Sequence, residues 1–357
     1  MKQFAPFLAG LVLLAACDPE KNDQVLPPPA PATTGIFVLS EGQFGAGDGV
    51  VSVFDKATKA LNLDAFGGAN NGAKLGDVVQ SMGVQGNRGY IVVNGSRKIE
   101  VVSLPDFKSV STISGLEQPR YFTSTSPTRG YVTEWRGPFT NYQPGVLSII
   151  DLTTNKVTSS VPVGRNPEQL LALGGKIYVP NSKDNTISVI DEATGTLSST
   201  FTVADGPLSL LADKDNNVWV LCSGIVTFLS TPPYTATRVS NGSLIRFSPS
   251  SPAAQFKLEF PATSGPSQLR INPAQDQLYY SFGGAEYQMS TAATTLPTTP
   301  FIRRKFSGFA IDPRDNTVFA GVSPSYNTNG RFIRYQATGV AIDSFEVKVG
   351  PNGFIFY

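Results

Sequence analysis

Gly174–Ser209, GGKIYVPNSKDNTISVIDEATGTLSSTFTVADGPLS, is the stretch that decides the fold of this chain. Lys176–Val179, Thr186–Ile190 and Thr200–Val203 are rich in β-branched and aromatic residues, which suit the pleated surface of a strand. Asn181–Asn185 and Glu192–Gly195 lie between them and carry the Asn, Asp, Ser and Gly of turns. The stretch closes on Gly206-Pro207. It predicts three short strands in a row, each separated by a tight turn.

The same unit recurs along the chain. Its second strand reappears as Gly35–Val38, Arg88–Val92, Arg129–Thr133, Asn217–Val220, Gln277–Tyr280 and Thr317–Ala320. The aromatic of that strand is Phe37, Tyr90, Tyr131, Tyr178, Trp219, Tyr279 and Phe319 in turn, at spacings of 53, 41, 47, 41, 60 and 40 residues. Third strands follow in phase at Val50–Asp55, Ile99–Ser103, Val146–Asp151, Ser243–Ser248, Glu286–Ser290 and Arg331–Gln336. Unit ends recur as Gln118-Pro119, Asn166-Pro167, Gly265-Pro266 and Gly350-Pro351. A period near forty residues with four short strands is the pattern of a β-propeller blade. Tandem β-sandwiches would need roughly 80 to 100 residues per domain. The chain therefore reads as all-β, with one seven-bladed β-propeller over residues 35–357.

Closure of the ring is legible too. Inner strands are expected after each unit end, at Gln80–Val84, Tyr121–Ser124, Gln169–Leu173, Leu208–Ala212, Gln268–Ile271 and Gly308–Ile311. The first unit begins at Gly35 without an inner strand, and the chain ends on a solitary one, Asn352–Tyr357. The C-terminal strand is thus expected to complete the N-terminal blade, leaving no open sheet edge.

Residues 1–17 read as a targeting segment: Lys2 supplies a positive start, and Phe7–Leu14 an apolar run too short to span a bilayer. Leu14-Ala15-Ala16-Cys17 resembles the lipobox of bacterial lipoproteins, with Cys17 as the lipid attachment. Residues 18–34 read as an acidic and then Pro-rich tether. At roughly 3 Å per residue it holds the domain on the order of 50 Å from the membrane. Asp18–Asp23 resembles the acidic tract of surface-exported lipoproteins of Bacteroidetes type, which implies an outer-membrane lipoprotein, either at the cell surface or on the periplasmic face. The second cysteine, Cys222, follows an apolar strand and reads as a small buried residue.

Ile177–Asn181 through Asp191 to Pro207, together with Tyr131–Glu134, resembles the YVTN-type repeat of surface β-propellers. With the lipobox in front, the chain is similar to a group of Bacteroidetes surface lipoproteins. That group includes propellers that capture cobalamin above an outer-membrane transporter. The resemblance implies a corrinoid or another scarce nutrient as ligand, and a transporter as partner.

Composition narrows the chemistry. With no histidine among 357 residues, Ser-His-Asp triads and His-ligated metal sites are excluded. A net charge of +1 with scattered Lys and Arg offers no basic face to nucleic acid. Asp184, Asp191, Asp213, Asp215, Asp312 and Asp315 are oxygen donors of the kind calcium takes, yet their loops lack the Gly and distal Glu of an EF-hand and read as turn chemistry. No cofactor is expected, and a binding protein rather than an enzyme is. A cell-surface protein-interaction module is the alternative, and a metal-dependent lactonase or lyase the second.

Function in such a scaffold concentrates on variable loops. The long loops between second and third strands are Ser40–Gly49, Glu134–Gly145, Cys222–Gly242 and Ser323–Gly330. They carry Phe44, Trp135, Arg136, Phe139, Tyr142, Phe228, Tyr234 and Tyr326, an aromatic and polar mixture suited to ligands. Arg120 and Arg165, with Glu168 and Gln169, are expected near the mouth of the central channel. The turns holding Asp55, Lys56, Thr154 and Asn155 face the other way and are expected to be neutral for binding.

Overall fold

Each repeated unit folds into an antiparallel sheet because its β-branched runs are apolar on both faces and its turns are polar. The computed structural model describes Met1 and residues 35–138, 141–228, 231–232 and 235–357. The Cys17 lipobox, the tether at 18–34, Phe139 and Tyr234 lie outside the described residues. Seven of the sheets are the blades of a propeller, and one more is a two-stranded hairpin pairing Val226–Phe228 with Ala236–Arg238. Blade 4, built from the deciding stretch, pairs Leu171–Leu173, Lys176–Asn181, Thr186–Asp191 and Thr196–Thr202 in order.

Blade 1 is made from both ends of the chain. The C-terminal strand Pro351–Phe356 pairs with Gly35–Ser40, placing Ile36 opposite Phe356, Phe37 opposite Ile355 and Val38 opposite Phe354. The seam it forms against blade 7 is filled by Ile36, Val38, Phe54, Phe319, Phe332, Val347 and Phe354. Every other pair of neighbouring blades encloses a cluster of the same kind. All seven recurrent aromatics sit in these seams, none more than 6% exposed. Cys222 is fully buried there, and burial pushes its thiol up to about 12.

Two expectations need correction. Blade 6 has three strands, Ser267–Ile271, Gln277–Phe282 and Ala285–Ser290, and its fourth is reduced to a single bridge between Glu286 and Ile302. Pro297 and Pro300 lie in the segment where an outer strand would run, and proline has no N–H to donate to a ladder. Lys56 is also more than a turn residue. Its Nζ crosses to blade 7 and meets Asp312 Oδ2 at 2.7 Å and Thr317 Oγ1 at 3.3 Å.

Asp312 is fully buried, and burial works against its ionisation. Arg314 and Lys56 outweigh that and hold the carboxyl below its usual range. A depressed carboxylate adds stability above its unfolded pKa and loses it as pH falls through the folded value. Lys56→Ala is therefore expected to cost about 1–3 kcal/mol near neutral pH, a loss that shrinks well below pH 4. Denaturant titrations at the two pH values check this; equal losses at both would refute the assignment. The Asp-rich turns are hydrogen-bonded as turns: Asp213 accepts from the amides of Asp215 and Asn217 and from Trp219 Nε1.

Candidate functional site

The recurring proline at each unit end is buried, and the residue after it turns into the central channel. Arg120, Glu168, Leu208, Ser267 and Asn352, each directly after such a proline, all line a cavity of about 550 Å3. In five blades the inner strand is bulged at or next to this point, for example between Pro119 and Phe122 and between Ser267 and Arg270. A bulge adds one residue and re-aims its neighbours. Here it turns Gln80, Arg120, Gln268 and Asn352 toward the axis, Gln268 with a φ of +58°.

These starts share one face with the long loops, because each inner strand begins opposite the end of its second strand. Gln118 pairs with Trp135, and Pro207 with Cys222. Arg120 is the centre of the mouth. Its Nη1 donates to Gln80 Oε1 at 2.6 Å, and its Nη2 donates to both Glu168 oxygens at 3.3 Å. The Trp135 ring lies 4.0 Å from the guanidinium carbon, a cation–π contact. Trp135 Nε1 in turn donates to Pro167 O at 3.1 Å, tying blade 3 to blade 4. The Tyr142 ring meets Trp135 at 6.1 Å and lies 5.2 Å from Lys183 Nζ.

The acids of the channel are held against ionisation. Burial pushes the Glu168 carboxyl up, with Arg120 opposing it. Burial also raises Glu41, which accepts a hydrogen bond of 2.9 Å from Asn352 Nδ2. The Tyr121 phenol is raised by burial and by the charge of Glu168. Arg270 stands on the blade 6 side of the wall. Its Nε donates to Phe309 O and its Nη1 to Leu269 O, both at 2.8 Å, and no carboxylate among the described residues pairs with it. Burial lowers its pKa.

Of the expected residues, Arg120, Glu168 and Gln169 line the cavity, whereas Trp135, stacked on Arg120, and Tyr142, packed on Trp135, do not. Arg136 stands beside them, paired with Glu117 at 2.8 Å and close to Glu134 at 3.7 Å. Arg165 does not line the channel. It ends the outer strand of blade 3, away from the axis, and pairs with Asp184 at 2.6 Å. Phe44, 75% exposed, lines a separate groove of about 440 Å3 with Arg97, Gly137 and Pro138. Phe228 and Tyr326 are 68% and 94% exposed, on loops of blades 5 and 7, and line neither cavity.

Sequence reading missed Glu41, Gln80, Tyr121, Arg270 and Asn352 as channel residues. The position after the unit-end proline would have found Asn352; the others depend on the bulges. Among the described residues, no group of three or more Cys, Asp or Glu side chains is placed to hold a metal ion.

No curated protein matches the chain. Among solved structures, it is similar to a quinonprotein alcohol dehydrogenase-like protein from Bacteroides thetaiotaomicron. That match has 13% identity and a TM-score of 0.66, covering 91% of this chain and 78% of that one. A functionally unknown protein from Desulfotomaculum acetoxidans is similar at 13% identity and a TM-score of 0.65, with 90% and 98% covered. A periplasmic gluconolactonase from Pseudomonas aeruginosa is similar at 13% identity and a TM-score of 0.63, with 90% and 99% covered. At such identity the likeness is one of fold. Residues 34–303 match the family described as Domain of unknown function (DUF5074), and the chain belongs to that family.

Proposed function

We propose that this chain is a non-catalytic binding protein of the bacterial cell envelope, which takes a scarce small-molecule nutrient at its channel mouth and hands it to an outer-membrane transporter. The observation that carries this reading is a polar cavity of about 550 Å3 lined by Arg120, whose guanidinium is covered by the Trp135 ring, with Tyr142 packed on Trp135 beyond the lining. A concave site with a few convergent polar groups is the usual form of a ligand pocket. The lipobox-like Leu14–Cys17 and the Pro-rich segment after it support tethering through Cys17 at the outer membrane, on the cell-surface side. The resemblance to YVTN-type surface propellers makes a corrinoid the leading ligand.

Titration of the purified protein with cobalamin, by absorbance or calorimetry, tests the ligand. The Trp135→Ala, Tyr142→Ala double variant is expected to weaken binding at least about tenfold, since large aromatics carry much of the energy at such sites. Thr154→Ala, on the opposite face, serves as control and is expected to bind normally. Because Trp135 also ties two blades, Trp135→Phe separates lost contact from lost stability. Undiminished binding by the double variant would move the site elsewhere.

A protein-interaction module is the second reading. Phe44 and Tyr326, exposed on separate loops of the same face, favour it.

A further inference from the structure

The channel wall below the mouth carries a guanidinium that makes no ion pair among the described residues, Glu286 and Tyr121 being the acidic groups whose field reaches it. Arg270 lies three residues past the mouth position Ser267, and across the bulge it is two partner residues, about 7 Å, further along the strand. Its only hydrogen bonds among the described residues go to the backbone carbonyls of Phe309 and Leu269, through Nε and Nη1. Nη2 is left without a partner on a residue that lines the cavity. Arg120, the other cation of the channel, already has a carboxylate in Glu168 and donates to Gln80, though its Nε is unpaired. A guanidinium that faces a cavity and is held only by carbonyl dipoles is open to a charge-assisted bond from an anion.

A second, independent feature concerns the uncharged groups around it. Ser209, 5% exposed and lining the same cavity, has an Oγ with no hydrogen-bond partner. Gln268 Oε1 and Asn352 Oδ1, also on the cavity wall, are buried acceptors without a donor, and Arg120 Nε is a buried donor without an acceptor. Buried polar atoms of native proteins are almost always paired. Two idle acceptors, a hydroxyl and an idle donor on one wall match a ligand that bears several hydroxyls.

We infer that the channel binds a hydroxyl-rich monocarboxylate of the sugar-acid class, with its carboxylate on Arg270 and its hydroxyls on Ser209, Gln268 and Asn352. The inference rests on the reading that the channel is the binding site. One negative charge fits better than two: Glu41 and Glu168 stand in the same wall, and a phosphate dianion would meet both. A carboxylate also matches the single open Nη2 and the nearby Tyr121 phenol, which feels both Glu168 and Arg270.

Calorimetric titration of the purified full-length protein with D-glucuronate, D-galacturonate, D-glucose and inorganic phosphate tests this. The uronates are expected to bind, and glucose to bind at least tenfold more weakly. Arg270→Gln should lose uronate binding at least tenfold, and Arg270→Lys should retain part of it with the preference for acid over neutral sugar intact. Should Arg270→Gln fail to fold, Arg270→Lys and Ser209→Ala in the folded protein decide the matter, each being expected to weaken uronate binding. Equal binding of glucose and glucuronate, tighter binding of phosphate, or unchanged affinity in these variants would overturn the inference. Cobalamin binding without uronate binding would overturn the sugar-acid site while leaving the corrinoid reading standing. Uronate binding without cobalamin binding would do the reverse.

Discussion

Deletion of the C-terminal strand Pro351–Phe356 is expected to abolish the cooperative unfolding transition of the propeller. The strand is the inner edge of blade 1, so its loss strips the ladder from Gly35–Ser40 and opens the ring. Phe354 is 5% exposed, with its ring 5.9 Å from Phe319 and 6.0 Å from Phe332. Phe356 meets Phe319 at 5.5 Å, and Tyr357 stacks on Phe37 at 5.6 Å. Removing one such buried phenylalanine costs about 3–5 kcal/mol. Whole domains are stable by about 5–15 kcal/mol, so losing the strand rivals the total. The backbones of blades 1 and 7 also come very close here: a Cβ on Gly308 would lie 2.0 Å from Asn352 O. Phe354→Ala alone is expected to cost about 3–5 kcal/mol in a denaturant titration. A truncated protein that melts cooperatively at the original temperature would show that the ring does not depend on this strand.

Glu286→Gln is expected to stabilise the protein by about 3 kcal/mol at pH 8 and to leave it unchanged near pH 4. Glu286 is 2% exposed, on the third strand of blade 6. Ser281 Oγ donates to its Oε2 at 2.6 Å, while Oε1 has no hydrogen-bond partner among the described residues. Burial pushes the carboxyl up to about 7, with Ser281 and then Arg270 opposing the rise in part. The unfolded chain ionises near 4.5. Between those two values the folded protein holds a proton that the unfolded chain has released. Stability therefore falls as pH rises across that window and stays low above it. Glutamine never ionises, yet keeps an acceptor for Ser281. Parallel denaturant titrations at both pH values check the sign. A variant no more stable than the native protein at pH 8 would mean that Glu286 ionises there at no cost.

Arg270 and Arg165 show where sequence reading of the site succeeds and where it stops. Both are single arginines close to a unit end. Arg165 ends an outer strand and is drawn to Asp184, whereas Arg270 sits on an inner strand and faces the axis. Arg120 and Glu168 were legible because each directly follows a recurring proline. The role of Trp135 as a tie between blades was not legible, since its partner Pro167 belongs to the next blade. The interblade role of Lys56 was hidden for the same reason: Asp312 lies 256 residues away in the chain.

Sequence alone determined the all-β class, the repeat, its seven copies and the closure by the final strand. All four follow from local periodicity, from turn chemistry and from the need of each two-faced apolar sheet to be covered on both sides. Tertiary structure decided which side chains face the channel. Strict alternation along a strand would assign them, but the bulges in five inner strands reset that phase. A bulge depends on how the strand pairs with its neighbour, so its position is a property of the assembled blade. The charge of the channel is settled the same way, because Arg120 forms an ion pair with a carboxylate from the next blade while Arg270 forms none among the described residues.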